Sequence, residues 1–370
     1  MGMFINKKLL KKFDYPFLLI VTLIVGIGLL TISSATHVNR PENSYHYVKM
    51  QVLWFVLGLI AMMVVISFDY RILGKFAKVI YVGNILMLLS VFFIGKRVMG
   101  AQRWINLGAL SIQPSELAKI AIIITLAKHL EVKKGKLENI KDLIPIFIHI
   151  GVPMLLIMKQ PDLGTSLVFM AILFGMLFMA GIGYRVLFGM MAVGVLSIPV
   201  LWNFLEDYQK NRILVFLNPN MDPLGSGYHV IQSMIAIGSG RLVGKGIFKG
   251  TQNQLDFLPE QHTDFIFSVL GEELGFVGGF VLLFLFFLLV MRGLHLASQS
   301  KDVFGMLIII GVISMFTFHI LVNIGMTMGI MPVTGLPLPF MSYGGSSMLT
   351  NMIAVGLVLN VGMRRHKILF

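Results

Sequence analysis

The sequence predicts an all-α polytopic membrane protein with about ten transmembrane helices, and three observations lead to this fold class. The 370-residue chain is 56% hydrophobic and only 13% charged, whereas soluble domains are about 25% charged. Its mean hydropathy is +0.85. Several apolar runs reach the roughly 20 residues that a helix needs to cross a bilayer. Because such runs take up most of the chain, we expect a single integral-membrane domain over residues 1–370.

The apolar runs predict ten spans, bounded where charged and turn-forming residues interrupt them. The first run lacks a small-residue cleavage site, so we interpret it as a span and not as a removed signal peptide. The fourth is the least regular, because Glu116 and Lys119 lie within it. The predicted spans lie near residues 16–36, 50–68, 76–95, 114–130, 142–159, 164–183, 185–204, 265–291, 303–330 and 346–363.

The basic residues of the short loops concentrate on one side of the predicted bundle. Both termini and the loop at 128–141 carry clusters of Lys and Arg. Since cytoplasmic loops of membrane proteins are enriched in these residues, we expect both termini to be cytoplasmic. The same bias accounts for the pI of about 9.8 without nucleic acid, which we therefore exclude as a partner.

This orientation places four polar-rich segments on the outer side, at residues 96–114, 159–163, 205–264 and 331–345. The third is a long extracytoplasmic loop between helices 7 and 8, and loops of this length are usually functional or disordered. Within it, the apolar pattern of residues 228–239 predicts an amphipathic helix at the membrane interface. The Pro- and Gly-rich fourth segment cannot form a continuous helix, and we expect it to close a cavity.

Asp264 is the first catalytic candidate, because it stands beside His262 where the long loop meets an apolar span. A carboxylate at such a boundary could act as a general base toward a hydroxyl group. The alternative is that Asp264 simply caps the helix that follows. Glu272 and Glu273 lie further along, inside the apolar run itself. Acidic residues in a membrane are costly and usually mark a functional region.

Glu116 and Lys119 form the second candidate pair, since a spacing of three residues places them on one face of a helix. The alternative is a purely structural ion pair. An unpaired ammonium in the apolar zone is unfavourable, so we expect Lys119 to lie within ion-pair reach of Glu116 or Asp162. We also expect Lys119→Met to reduce activity more than stability.

Other polar residues of the outer segments fit an anionic, sugar-bearing ligand. Arg103 suits a diphosphate and Trp104 a sugar face, although together they could equally be an interfacial anchor. Arg212 and other basic residues of the long loop run against the charge bias, which also indicates an anionic substrate.

The intramembrane His149, His319 and Asn323 are expected to be core hydrogen-bonding residues. The chain has no cysteine and so no disulfide or cysteine nucleophile. We assign no cofactor, and a divalent cation, Mg²⁺ or Mn²⁺, is left open.

These segments together resemble the SEDS family of bacterial membrane proteins, named for shape, elongation, division and sporulation. The similarity covers nearly the whole chain, and residues 250–259 are most similar to the rod-shape subfamily. It rests on Gly-Ala-Gln-Arg-Trp at 100–104, Gln-Pro-Ser-Glu-Leu-Ala-Lys at 113–119, Gln-Pro-Asp-Leu-Gly-Thr at 160–165, and the motifs at 225–229, 232–240, 258–267, 271–275 and 337–346.

The resemblance implies a peptidoglycan glycosyltransferase that polymerises lipid II into glycan strands at the outer face of the bacterial cytoplasmic membrane, for cell elongation and rod shape. It implies a class B penicillin-binding protein transpeptidase and other elongation-complex proteins as partners. Asp264, Glu116 and Lys119 match the family's functional positions. The residues assigned to substrate binding are Arg103, Trp104, Gln160, Asp162, Thr165, Arg212, Gln232, His262, Thr263 and Ser342.

Two alternatives remain open at this point, a lipid II flippase and a scaffold without catalytic activity that organises a transpeptidase. A flippase should carry charged residues at mid-membrane, often within inverted repeats. Here the ionisable residues cluster near one face of the predicted bundle, which favours an enzyme.

Overall fold

The structure, a computed structural model, describes residues 11–37, 45–98, 101–108, 110–133, 140–203, 205–222, 225–255, 257–258 and 260–365. Within these residues the chain is almost entirely helical, and one small sheet interrupts it. The α-helices are α1 (Tyr15–Ala35), α2 (His46–Ser67), α3 (Arg71–Lys75), α4 (Ala77–Ile94), α5 (Pro114–Lys133), α6 (Ile140–Lys159), α7 (Leu163–Ala180), α8 (Tyr184–Trp202), α9 (Asp207–Leu217), α10 (Ser226–Ser239), α11 (Thr251–Gln254), α12 (Ile266–Ser298), α13 (Val303–Thr327) and α14 (Gly345–Met363). The strands are β1 (Lys96–Val98), β2 (Ala101–Leu107) and β3 (Leu110–Ile112).

Helices occupy all ten predicted spans, so the predicted fold class is confirmed. Eight of them, α1, α2, α4, α6, α7, α12, α13 and α14, are long and apolar enough to cross a membrane. The other two spans correspond to α5, which carries the charged Glu116 and Lys119, and to α8. The chain is therefore a multi-pass membrane protein.

Local sequence signals explain where several of these helices begin and end. Asp14, Asp162 and Asp302 precede α1, α7 and α13, and each side chain accepts a hydrogen bond from a backbone N–H of the first turn. Such caps satisfy N–H groups that have no partner within the helix. Helix α7 ends at Gly181, whose φ of 86° is the left-handed conformation that glycine adopts without strain.

Helix α13 is the centre of the bundle and packs against α5, α7, α12 and α14. Most of its residues are buried, including the polar His319 and Asn323. Buried polar groups of this kind require hydrogen-bond partners, and both side chains contact the segment at 331–345, as described below.

Two features of the outer segments bear on the sequence predictions. The amphipathic helix predicted at 228–239 is present as α10 and is confirmed. The strands β1, β2 and β3 form a three-stranded antiparallel sheet, in which Ile105 pairs with Ile112. The sequence reasoning missed this sheet, because its strands are only three to seven residues long and give a weak periodic signal.

Helix α12 is broken at Gly275, whose φ of 63° is not helical. The loop that follows α10 fills the break. The N–H of Phe276 donates to the carbonyl of Arg241 at 2.8 Å, and the N–H of Lys245 donates to the carbonyl of Glu272 at 3.0 Å. The loop thus satisfies backbone groups that an unbroken helix would pair internally. The sequence predicted a continuous span at 265–291.

Candidate active site

A cavity of about 1150 Å³ opens at the end of the bundle that carries the sheet and the long loop. All four polar-rich segments contribute residues to its walls, so they lie at the same end of the bundle, as predicted. The lining residues are Lys96, Arg103, Trp104, Asn106, Ser111, Pro161, Asp162, Leu163, Gly164, Leu167, Trp202, Leu205, Tyr208, Gln209, Arg212, Ile213, Asp264, Pro332, Val333, Thr334 and Gly335.

Asp264 is half-buried and lines this cavity. Helix α12 begins at Ile266, and no side chain caps it, so the geometry does not support helix capping as the role of Asp264. The backbone of Gly335 closely approaches the carboxylate, because a Cβ at that glycine would lie 3.4 Å from Oδ2. Burial raises the pKa of Asp264 to about 6, with the nearby Glu260 adding to the shift and Arg212 opposing it.

Three basic side chains line the cavity, and they differ in how strongly the protein holds them. Arg103 donates from Nε to the carbonyl of Gln160 at 2.9 Å and from Nη2 to the carbonyl of Pro161, and lies 3.9 Å from Asp162. Arg212 of α9 stacks over the Tyr208 ring at 5.8 Å. Lys96 of β1 was not among the predicted binding residues. Together these cations make the cavity suitable for an anion.

Aromatic rings form another part of the wall. Trp104 was predicted, whereas Trp202 and Tyr208 were missed. The Tyr208 hydroxyl donates to the carbonyl of Pro161 at 3.0 Å, which fixes one side of the ring. The sequence signal for these two residues was weak, because aromatic residues at the ends of apolar runs are ordinarily interfacial anchors.

The turn at 160–162 shows why some predicted binding residues do not reach the cavity. The Thr165 N–H and hydroxyl donate to Asp162 at 3.2 and 2.9 Å, and the Gln113 amide donates to it at 3.1 Å. Gln160 is buried and donates to the carbonyl of Leu88 at 3.0 Å. Asp162 thus lines the cavity, while Gln160 and Thr165 support the turn behind the wall.

The predicted ion pair of Glu116 and Lys119 is present, at 2.7 Å, and both side chains are buried. The nitrogen of Lys119 also lies 3.2 Å from Nε2 of His319, whose Nδ1 lies 3.1 Å from the carbonyl of Pro337. His319 is therefore a core hydrogen-bonding residue, as expected. Neither Glu116 nor Lys119 lines the cavity, so their catalytic role stays a prediction.

The remaining predicted binding residues also lie outside the cavity lining. The Ser342 hydroxyl donates to the carbonyl of Thr263 at 2.6 Å, and the Thr263 hydroxyl donates to Glu260 at 3.1 Å. The His262 ring packs against Tyr47 at 4.8 Å. Gln232 is partly buried in α10. The contacts of Ser342, Thr263 and His262 support the shape of the site, and direct binding by any of the four residues stays a prediction.

Metal binding was left open by the sequence. Among the residues that the structure describes, no group of three or more His, Asp or Glu side chains is arranged to hold a metal ion.

The FtsW/RodA/SpoVE family of cell cycle proteins matches residues 15–367 of the chain. The chain belongs to this family. It is 42% identical to "Peptidoglycan glycosyltransferase MrdB" of Escherichia coli K12, covering 93% of each chain. It is 36% identical to "Peptidoglycan glycosyltransferase RodA" of Treponema pallidum, covering 95% of this chain and 98% of the relative. These names agree with the predicted glycosyltransferase activity.

Among solved structures, two that match this chain have the same fold. One is described as "Structural coordination of polymerization and crosslinking by a peptidoglycan synthase complex", and its matched chain is 32% identical with a TM-score of 0.82, covering 96% of this chain and 99% of that chain. Another is the rod shape determining protein RodA of Thermus thermophilus, 30% identical with a TM-score of 0.72, covering 96% and 98%.

Proposed function

We propose that this protein is a peptidoglycan glycosyltransferase that polymerises lipid II at the outer face of the bacterial cytoplasmic membrane, for cell elongation and rod shape. One observation carries the proposal. A single cavity contains a carboxylate whose pKa is raised to about 6, together with basic and aromatic side chains. A base with such a pKa is largely ionised at neutral pH and can still accept a proton.

In the proposed reaction Asp264 accepts the proton of the acceptor GlcNAc 4-hydroxyl. The oxygen then bonds to the anomeric carbon of the donor MurNAc, and the bond from that carbon to the diphosphate breaks. Undecaprenyl diphosphate leaves with the bonding electrons. The guanidinium groups of Arg103 and Arg212 and the ammonium of Lys96 would stabilise the negative charge that develops on this leaving group.

The apolar part of the cavity wall suits the remaining parts of such a substrate. Leu163, Leu167 and Ile213 provide hydrocarbon surface for a polyprenyl chain, and Trp104 and Trp202 provide aromatic faces for sugars. The flippase alternative is less favoured. A flippase should carry charged residues at mid-membrane, whereas the charged residues of the cavity come from the segments that connect the spans and from the ends of the spans.

Purified protein and fluorescent lipid II, with the products separated by length on a gel, test the activity. We expect glycan strands from the wild type and none from Asp264→Asn, whose amide is nearly isosteric but cannot act as a base. Asp207→Asn is the matched control, because it removes a fully exposed carboxylate of the neighbouring helix α9. Wild-type rates from Asp264→Asn would rule out the general-base role.

We further propose that both termini are cytoplasmic and that the protein works with a class B penicillin-binding protein transpeptidase. The distribution of basic residues supports the orientation. The relative with a TM-score of 0.82 belongs to a complex described as coordinating polymerization and crosslinking, which supports the partner.

A further inference from the structure

Three consecutive backbone carbonyls, those of residues 262–264, each accept a hydrogen bond from another part of the fold. This segment belongs to no helix or strand, so its position depends on such external contacts. The donors are, in chain order of the carbonyls, the Tyr343 N–H at 2.9 Å, the Ser342 hydroxyl at 2.6 Å and the Asn323 side-chain amide at 2.9 Å.

Asn323 holds the carbonyl of Asp264 itself, and it does so from the centre of the bundle. It lies on α13 and is fully buried. The same Nδ2 donates to the carbonyl of Leu336 at 2.8 Å. The next residue toward the N-terminus, Gly335, faces the Asp264 carboxylate across the cavity wall. One amide therefore fixes both the residue that carries the carboxylate and the backbone opposite it.

Packing alone does not explain an asparagine at this position. Burying an amide costs free energy that its hydrogen bonds must offset, and polar side chains within membrane helices are expensive. A leucine of similar size would fill the space without that cost. The polar side chain is needed here to hold two carbonyls of irregular backbone beside the cavity.

We infer that Asn323 is a positioning residue for Asp264. By holding the main chain at 264 and 336, it keeps the carboxylate at a fixed place on the cavity wall while substrates and products exchange. This inference rests on the proposed function, in which Asp264 accepts a proton from the acceptor sugar. Misplacement of a reacting group by about 1 Å can reduce a rate about 100-fold.

Asn323→Leu tests the inference, and Asn360→Leu is a closely matched control. Asn360 is also fully buried, on α14, and its Nδ2 also donates to two backbone carbonyls, those of Val65 at 2.6 Å and Phe68 at 2.9 Å. It does not line the cavity. Both variants therefore lose a side-chain amide that holds two backbone carbonyls, and only one of them loses it beside Asp264. Asn360→Leu also loses the hydrogen bond that its Oδ1 accepts from Arg364, so the control removes at least as much stabilising contact as Asn323→Leu does.

We expect Asn323→Leu to reduce kcat about 100-fold with little change in KM, whereas Asn360→Leu lowers the melting temperature and leaves kcat near the wild-type value. In Asn323→Leu the acid limb of the pH–rate profile should also move to lower pH, because a loosened carboxylate gains water and loses part of its desolvation. The charged or titratable groups that line the cavity with Asp264 or lie near it are Glu260, His262, Arg212, Lys96, Arg103, Asp162 and Tyr208, with His229 packed against the adjacent Phe265, and both variants retain them.

Two milder variants keep the test decisive if Asn323→Leu fails to fold. Asn323→Ser retains one short donor, and Ser342→Ala removes the donor to the neighbouring carbonyl of Thr263. Each should show a smaller loss of kcat with the same movement of the acid limb. A loss of kcat no greater than in Asn360→Leu, or an acid limb that stays in place, would overturn the positioning role.

Asp264→Asn, measured in parallel, separates this inference from the proposed function. If Asp264→Asn is active, the proposed general-base role of Asp264 is wrong, and the positioning role of Asn323 is wrong with it. An inactive Asp264→Asn combined with an Asn323→Leu that behaves like its control would overturn the positioning role alone.

Discussion

At the scale of single residues, the carboxylate of Asp264 combines a catalytic advantage with a cost in stability. Burial and the neighbouring Glu260 raise its pKa to about 6, so the folded state binds a proton at Asp264 more tightly than the unfolded chain does. Its contribution to stability is therefore present at low pH and is lost as the pH rises through about 6. The catalytic base, however, must be the ionised form that predominates above this value.

Because protonation of Asp264 favours stability and its ionisation favours catalysis, two measurable results are expected. The polymerisation rate of the wild type should fall about tenfold per pH unit below the pKa of Asp264. The Asp264→Asn variant is neutral at every pH, so above pH 6 its melting temperature should equal or exceed that of the wild type. The difference should shrink as the pH is lowered toward 4. An Asn variant that melts well below the wild type at pH 7.5 would show that Asp264 is mainly structural.

Lys119 leads to a different expectation, because the structure places it away from the cavity. Its side chain is 1% exposed, and its ammonium is paired with Oε1 of Glu116. The second oxygen of Glu116, Oε2, has no hydrogen-bond partner among the described residues. Removing one member of a buried pair costs about 3–5 kcal/mol, since the other charge is left uncompensated. We therefore expect Lys119→Met to destabilise the protein strongly, contrary to the expectation from sequence.

The double variant Glu116→Gln/Lys119→Met separates structure from chemistry at this site. It removes both charges, so most of the melting temperature lost in Lys119→Met should return. A stable double variant without polymerase activity would support a functional role for the pair. A stable and fully active one would show that the pair is structural.

At the scale of elements, the break in α12 ties the membrane span to the long loop. Gly275 adopts a φ of 63°, and a Cβ there would lie 2.4 Å from the nitrogen of Gly244. On the N-terminal side of the break, Glu272 accepts a hydrogen bond from Lys245 of the loop at 2.7 Å, and Glu273 accepts one from Asn253 of the loop at 3.3 Å. The two intramembrane acids are thus used to anchor the loop, and neither lines the cavity.

We expect Gly275→Ala to destabilise the protein by about 2 kcal/mol or more, through backbone strain and the clash with the loop. Gly279→Ala is the control on the same helix, because its Cβ would make only an ordinary contact, at 3.6 Å from Phe267. Melting temperatures in detergent measure both. Equal values for the two variants would mean that the loop does not depend on the break.

The elements also show which parts of the site a sequence can predict. Asp264, Arg103, Trp104, Asp162 and Arg212 were recognised and do meet in one cavity, because polar residues at the ends of spans stand out against apolar sequence. The roles of Ser342 and Thr165 were not recognisable, since a hydroxyl that holds a backbone carbonyl looks the same in sequence as one that binds a sugar. The break at Gly275 depends on contacts with a distant loop, which no local pattern reveals.

At the scale of the whole molecule, the proposed orientation can be tested cleanly because the chain contains no cysteine. Lys249 is exposed on the long loop, and Lys301 is exposed at the opposite end of α12. In spheroplasts, a membrane-impermeant maleimide should label Lys249→Cys directly and Lys301→Cys only after permeabilisation. The reverse pattern would place the cavity in the cytoplasm and exclude polymerisation at the outer face.

The partner proposal concerns the surface that the bundle presents to the membrane. Phe276, Phe280 and Phe284 form a stacked, exposed row along α12. Lipid-facing phenylalanines are ordinary in membrane proteins, so this row does not by itself identify an interface. The prediction is therefore made for the complex and not for any one span.

We expect this protein to copurify in detergent with its cognate class B transpeptidase and to polymerise lipid II faster in that complex than alone. Asp264→Asn should copurify equally well, because the change lies within the cavity and leaves the outer surface of the bundle intact. The complex that contains Asp264→Asn also shows whether any polymerase activity beyond that of the isolated protein comes from the partner preparation. Repeated recovery of the protein alone, together with rates unchanged by added transpeptidase, would contradict the partnership and leave the glycosyltransferase proposal standing on its own test.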